Sequence, residues 1–510
     1  MYMRYVKDMH PNSYGELRSE YKYYIDLYIA LYQLKTEKEE ELNSIYKMIK
    51  TEMIDSKKYS AKNITRDILN IIPYNNHYTK SYLFLAKQFC DDYHVEKISK
   101  VINISNYLFY QEYGIKLSDI DDFDKNKPKN LNIHTEDTIY SAIMDNDKER
   151  FISFIEREGF DKDKKLDSDL YPLINASLLE LCCYHGAVGC FKLLRAKFNS
   201  KITRNCLNLS FLGRNPEIMN ECLKYQQPDG ESMKYAIISH NIDFVTFLMN
   251  KYDLIIDLYD CESYNNLDSF LVYYDQMHDL NSCFVKSACF NIPSLCKYFL
   301  SHGANIDVKN MIGETALHIA AINNSKETAE LLIKNGADIY IKDMYCETAL
   351  YYAVINNCKE TVELLITNGA NVNNKNKNGH ITLHDAALRK YKEIVELLIS
   401  HGANANEKDN DGKTALHIAA TNNCKEIAEL LITNGININE KDKYGSIALH
   451  NAAVRNNKEI AKLLISHGIN INEKDNDGKT ALHYAVINNC KEIAELLISH
   501  DANINEKQKK

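Results

Sequence analysis

From Asn310 onward the apolar and polar positions fall in a frame that never shifts. The phrase TALHIAA at Thr315 returns as TALYYAV at Thr348, ITLHDAA at Ile381, TALHIAA at Thr414, IALHNAA at Ile447 and TALHYAV at Thr480. Each start lies 33 residues after the one before, with no insertion or deletion. Leu317, Leu350, Leu383, Leu416, Leu449 and Leu482 share one position in the frame, and a small alanine follows three residues later from Ala320 to Ala485. A polar break comes next, then a second apolar run that closes on a Leu-Leu pair such as Leu331-Leu332 or Leu364-Leu365. A period of this length predicts a solenoid of small supersecondary units, none able to bury its apolar face alone.

Upstream the pattern is helical but aperiodic. Ile25, Tyr28, Ile29 and Tyr32 form one stripe of an amphipathic helix. Thr36 followed by Glu39 predicts a capping box that starts a second helix running through Ile54. Leu83 to Phe89 and Ile98 to Phe109 predict two more. The charged run from Ser118 to Glu136, with Pro128 and several Asn, reads as a linker or loop. Residues 138–160, 178–198 and 233–251 then each carry the outline of helix, turn and helix without the strict phrase. Residues 282–310 lie in register with the array but have diverged at the turn. The expected division is therefore a helical region over 1–125, degenerate repeats over 126–281, and 282–510 with one degenerate and six full copies.

Asp409-Asn-Asp-Gly412-Lys-Thr414-Ala-Leu-His417-Ile-Ala-Ala420, followed by Leu430-Leu431 and Asn434-Gly435, resembles the ankyrin repeat. The likeness is closest from Asn310 to Asn505, looser from Ser282, present in outline from Asp137, and does not reach the first 130 residues. The middle stretch resembles the region of unknown function that precedes consensus repeats in many protist proteins. The resemblance implies an all-α ankyrin-repeat solenoid of paired antiparallel helices with β-turn or hairpin fingers. It implies that His318, His384, His417, His450 and His483 bond the adjoining turns, and that partners are proteins bound at the turn tips and concave face.

The residue types fit these roles. Gly313, Gly379, Gly412, Gly445 and Gly478 supply positive φ in a tight turn. Thr315, Thr348, Thr414 and Thr480 stand where a hydroxyl can cap a helix. Asn324, Asn357, Asn423, Asn456 and Asn489 are the next best left-handed residues after Gly, and Gly336, Gly369, Gly402, Gly435 and Gly468 close the second helices. Ile381 and Ile447 lack the hydroxyl and Cys346 lacks the turn Gly, so the second, third and fifth repeats are expected to be locally weaker. Asp501 replaces a closing Gly, and Leu482, Ile493, Ala494 and Leu497 resemble internal residues. Together with the short polar tail from Glu506, this leads to the expectation that the last repeat frays or is covered.

Composition narrows the function classes. A net charge of −9 on 61 basic and 70 acidic residues, without a basic block, argues against nucleic acid as the ligand. No apolar run approaches a membrane span and the amino terminus lacks an export signal. The 14 cysteines have no C-x-x-C, and equivalent Cys358, Cys424 and Cys490 are too far apart to bridge, which points to reduced thiols in the cytoplasm or nucleus. Cys182, Cys183, His185 and Cys190 form the densest metal-like cluster and read better as small buried side chains. No nucleotide, zinc-protease or serine-hydrolase motif occurs, so no enzyme, cofactor or metal is expected.

Function then falls to positions the repeat does not dictate. The tips include Met311, Ile312, Glu314, Met344, Tyr345, Glu347, Ser446 and Tyr444. The ends of the first helices supply Ile322, Ile355, Leu388, Arg389, Thr421, Val454, Arg455 and Ile487. Met311, Ile312, Ile322, Met344, Tyr345, Ile355, Leu388, Arg389, Tyr444 and Arg455 are the candidate protein-binding residues of a monomeric scaffold. Two alternatives stay open: residues 282–309 pack over the first tips, or the chain is a two-ended adaptor, for example a ubiquitin-ligase receptor, whose N-terminal helices bind a second machine.

Overall fold

The structure, a computed structural model, describes residues 13–56, 59–98, 100–117, 127–135 and 137–503. The chain divides into two compact units, Met1–Cys283 and Phe284–Lys510. The architecture is the expected all-α solenoid. Among the described residues the only strands are the two-residue pair Lys165–Leu166 and Ala176–Ser177.

In the second unit each repeat is a short first helix and a slightly longer second one. They run Ala316–Ile322 and Lys326–Lys334, Ala349–Ile355 and Lys359–Thr367, and Thr382–Leu388 and Lys392–Ser400. The series continues with Ala415–Thr421 and Lys425–Thr433, Ala448–Val454 and Lys458–Ser466, and Ala481–Ile487 and Lys491–Ser499. The aligned leucines of the first helices are buried, and the alanines from Ala320 to Ala485 have no exposed surface, so neighbouring helices meet closely. Of each Leu-Leu pair only the second member is fully buried: Leu332 and Leu365 are, whereas Leu331 and Leu364 sit at the rim. One residue turns a helix by about 100°, which carries the first leucine off the buried face.

The helix starts depart from expectation in an informative way. At Thr315, Ile381, Thr414, Ile447 and Thr480 the backbone N–H donates to Nδ1 of the histidine three residues on, at 3.1–3.2 Å. Nε2 of His318, His384, His417 and His450 lies 3.1–3.3 Å from a backbone carbonyl of the next repeat. A carbonyl only accepts, so Nε2 carries the proton and the ring is the neutral tautomer. The expected shortfall at Ile381 and Ile447 therefore has no basis in the cap, because the bond uses the main chain and not the missing hydroxyl. The Thr hydroxyls at 315, 414 and 480 touch the same Nδ1 at 2.9 Å. Thr348, whose repeat has Tyr351 in place of His, accepts the Tyr351 N–H, at 3.4 Å.

Two glycines show different reasons for the same φ. Gly412 (φ 76°) sits in a turn where an added Cβ would lie 2.7 Å from the Lys443 nitrogen of the next turn; Gly435 (φ 81°), which closes a second helix, has open space. Gly435→Ala should cost about 1–2 kcal/mol, the left-handed penalty alone. Gly412→Ala should cost more and break the Lys443 N–H to Asp411 carbonyl bond (2.9 Å). Denaturant unfolding with amide exchange at Lys443 checks the order.

The first unit has five helix pairs among its described residues: Ile139–Met144 with Lys148–Ile155, Leu178–His185 with Val188–Phe198, Arg204–Gly213 with Pro216–Leu223, Gly230–Ile238 with Ile242–Tyr252, and Leu258–Ser263 with Leu267–Met277. The third and fifth have no counterpart in the sequence reading. The N-terminal helices (Ser13–Glu20, Lys22–Tyr32, Glu39–Ile49, Ala61–Asn70, Thr79–Tyr93, Asn103–Tyr113) belong to this same unit. Arg214 donates to the Tyr32 and Ser239 carbonyls at 2.9 and 3.0 Å, and Arg18 pairs with Asp268 at 2.9 Å. Tyr184 donates to the Pro73 carbonyl at 2.8 Å.

Several local expectations are corrected. No capping box forms at Thr36: its hydroxyl accepts from Lys38 N–H (3.1 Å), Lys38 is the N-cap, and after Ile49 the helix widens to a π turn over Lys50–Asp55. The helix expected from Ile98 begins at Asn103, and Ile98 N–H donates instead to the Leu117 carbonyl. Of the supposed linker, 118–126 and 136 lie outside the described residues. The part that is described is held down, with Lys129 N–H on Asp169 (2.8 Å) and the Ser168 hydroxyl on the Asn130 carbonyl (2.9 Å). Residues 1–12 and the tail from 504 also lie outside the described residues.

Candidate functional site

Each tip begins with an Asn or Asp whose side chain folds the turn beneath it. Asn310 Oδ1 accepts from Ile312 and Glu314 N–H at 3.1 and 2.9 Å, and Asp343 Oδ1 accepts from Tyr345 and Glu347 N–H, both at 2.8 Å. Successive tips are then linked by one backbone bond per joint. Met344 N–H donates to Ile312 O (3.0 Å), Lys377 to Tyr345 (3.2 Å), Asn410 to Asn378 (3.1 Å), Lys443 to Asp411 (2.9 Å) and Asn476 to Tyr444 (2.9 Å). The fingers are thus turns in a ladder. In the later tips Asn410 and Asn476 also donate from their side chains to the Lys377 and Lys443 carbonyls, at 2.9 and 3.1 Å, whereas in the first two tips Met311, Ile312, Met344 and Tyr345 make no side-chain hydrogen bond or ion pair with any described residue.

Those side chains face outward. Met311 is fully exposed, and Ile312, Met344 and Tyr345 are 39%, 49% and 48% exposed. Residues 282–309 therefore do not cover them. The bond between Met344 and Ile312 makes the first two tips neighbours, so these four residues form one apolar patch. Lys377 Nζ lies 5.6 Å from the Tyr345 ring centre. Tyr444 is exposed on the fifth tip, well apart from that patch, with Lys443 over its ring at 5.0 Å.

Two tip residues turn inward instead: Glu314 is buried and accepts from Asn310 Nδ2 at 2.8 Å, and Ser446 is buried beside His417. At the ends of the first helices Leu388, Arg389 and Arg455 are exposed, whereas Ile322 and Ile355 are half-buried. The candidates thus divide into the tip patch, the isolated Tyr444, and a row on the first helices. Exposed Tyr340 and Lys390 were missed by the sequence reading. Each breaks its own column of the repeat, Tyr340 standing where Asn373, Asn406 and Asn439 recur and Lys390 where Asn324 and Asn357 do. Comparison down columns was the signal that could have found them.

The titratable groups of the array serve its joints. His380 Nδ1 meets Asp385 at 3.2 Å and Nε2 meets Asp409 at 3.5 Å; the bond to Asp385 raises its pKa. Burial lowers those of His318, His384, His417 and His450. Tyr352 and Tyr484 donate to Asp343 and Asp475 at 2.7 and 2.6 Å.

In the first unit the Tyr171 hydroxyl sits between His134 Nε2 (2.8 Å) and His185 Nε2 (2.9 Å), and burial pulls His134 down to about 4. Cys183 faces Cys206 and Cys222, while Cys190 approaches the Ala142 carbonyl at 3.9 Å, so the cysteines and His185 point to different partners. Among the described residues no three His, Cys, Asp or Glu side chains converge as a metal site, and no helix is long and apolar enough to cross a membrane.

A ladder of outward tips on a stack of paired helices defines a repeat-type array. Residues 284–376, 350–442 and 438–508 match a family model described as ankyrin repeats in three copies, and residues 198–273 match one described as a domain of unknown function (DUF3447). This is an ankyrin-repeat protein with a region of unknown function ahead of its repeats. Among curated proteins none matches it. Ankyrin repeats in general are modules of protein–protein interaction.

Proposed function

We propose that this chain is a non-catalytic, monomeric protein-binding scaffold of the cytosol or nucleus, and that its partner seats on the first two tips. The observation that supports this reading most is the adjacency of four exposed apolar side chains, Met311, Ile312, Met344 and Tyr345, on turns whose folding they do not serve. The array presents them on a stack whose backbone bonds are already made, so little ordering is required on binding. Reduced thiols fit the proposed compartment: no two of the cysteines are joined in a disulfide, and most are buried.

The adaptor alternative gains no support of its own. The N-terminal helices are joined to the first unit's helix pairs through Arg18, Tyr184 and Arg214, so a deletion of residues 1–130 would strip a packed face and test nothing cleanly.

The full chain is the right reagent. Ile312→Ala with Tyr345→Ala should remove partner capture from lysate of the native cell by at least about tenfold, since two such anchors carry ~1 kcal/mol or more each. The melting temperature should stay unchanged. Undiminished capture by this double variant would refute the reading, and a large fall in melting temperature would assign these side chains to folding.

A further inference from the structure

The first helices end with a column of residues that is uniform in four repeats and broken in two. Asn323, Asn356, Asn422 and Asn488 each turn back and donate from the side-chain amide to the carbonyl four residues earlier, at 3.1, 2.8, 2.9 and 2.9 Å. In the third and fifth repeats the same position holds Arg389 and Arg455. Both are exposed, and neither guanidinium makes a hydrogen bond or ion pair with any described residue. The carboxylate one turn back from Arg389, Asp385, is held by His380; one turn back from Arg455 stands neutral Asn451.

The next column departs in the same place. Asn occupies the left-handed position in the other repeats, but the third has Lys390 at φ 63°, a conformation a long side chain adopts at a cost. Lys390 too is exposed and unpaired. The residue before each arginine is apolar and open: Leu388 is 44% exposed and Val454 40%. At three positions, therefore, the repeat gives up a helix-ending bond or an unstrained backbone and gains an unpaired cation beside an exposed aliphatic side chain. Local rules broken without a folding return mark functional sites.

We propose that repeats three to five bind an extended acidic and apolar segment of a partner protein. Its two carboxylates pair with Arg389–Lys390 and with Arg455, and its aliphatic side chains lie on Leu388 and Val454. The inference rests on the protein-binding reading and adds the partner's chemistry. Helices stacked two repeats apart place the arginines about 20 Å from each other, which an extended chain spans in about six residues. The segment thus carries acidic residues about six apart with aliphatic residues between them. Arg presents a planar fork suited to carboxylate, and the intervening Thr421 and Asn422 add no repelling charge.

The test uses the full chain and a library of synthetic peptides with two Glu at varied spacing on a Leu/Val background, together with Gln counterparts. Wild type should select the Glu peptides with a spacing near six, and added salt should weaken them. Arg389→Asn with Arg455→Asn restores the residue of the other repeats, so the fold is retained. This variant should bind about two- to thirtyfold more weakly, the loss of two exposed pairs. Arg389→Lys with Arg455→Lys should recover part of the loss.

Equal binding of Glu and Gln peptides, or of wild type and the Asn double variant, overturns the proposal. If peptides without acid bind and are lost only in the Ile312/Tyr345 double variant, the protein-binding reading stands and this proposal falls. If no peptide binds either surface, both fall. Capture of single-stranded RNA or phosphatidylserine vesicles through the same arginines, with no acidic peptide bound, also overturns it.

Discussion

Acidification from about pH 7.5 to about pH 5.5 should destabilise the folded chain by several kcal/mol, with most of the loss below about pH 6.5. Burial lowers the pKa of His318, His384, His417 and His450 in the array. It also holds His134 near 4, His240 near 3, and His185 well below its ordinary value in the first unit. The unfolded chain takes up protons at the ordinary histidine pKa of about 6.5, whereas these buried rings stay neutral, so the unfolded state gains as pH falls. Each such ring contributes up to about 1.4 kcal/mol per pH unit below that point. The array histidines give a structural reason: a second ring proton on Nδ1 would face the N–H that it now accepts from.

His380 works in the opposite sense. Its pKa is raised by the bond to Asp385, so its contribution is full at low pH and is lost as pH rises through the folded value. One group of that sign does not offset seven of the other. Thermal unfolding midpoints measured across this range check the expectation, and a flat profile between pH 7.5 and 5.5 would contradict the neutral, doubly bonded histidines.

The second large effect lies in the first unit. Buried Asp67 accepts from the Tyr28 and Tyr59 hydroxyls at 2.7 and 2.8 Å and from Arg66 at 2.8 Å. Asp67→Ala leaves a guanidinium and two hydroxyls buried without their acceptor and should cost about 3–5 kcal/mol. Asp67→Asn keeps an acceptor and should cost less. Hydrogen exchange of residues 61–70 separates the outcomes. Protection equal to wild type in the Ala variant would mean that the charges are already solvated.

How legible these features were depended on sequence distance. The repeat helices were readable because each position is restated every 33 residues, which exposes Leu317, Ala320 and Gly412 as structural. The burial of Leu332 over Leu331 was not, since the pair looks alike until the helix rotation is fixed by its neighbour. Helix pairs at Arg204–Leu223 and Leu258–Met277 escaped because their apolar residues, such as Leu207 and Phe270, keep the packing role without the phrase.

Arg214 with Tyr32 and Arg18 with Asp268 join residues far apart in the chain, where no periodicity points from one partner to the other. The site divides along the same line. Exposure of Met311 and Tyr345 followed from their freedom within the repeat, whereas the inward turn of Glu314 needed the Asn310 side chain to be placed first.

The histidine bridge has a genetic consequence. It runs from one main-chain N–H, through the ring, to a main-chain carbonyl in the next repeat, and so it reads neither neighbour's side chains. A joint built this way accepts any adjoining repeat that keeps the frame. Unequal recombination that drops or duplicates a 33-residue unit restores the same bonds at a new junction wherever the unit on its N-terminal side carries the histidine, as all but the second repeat do. The surface can therefore be lengthened, shortened or reordered by whole units while the fold stays intact, and the tips become interchangeable parts.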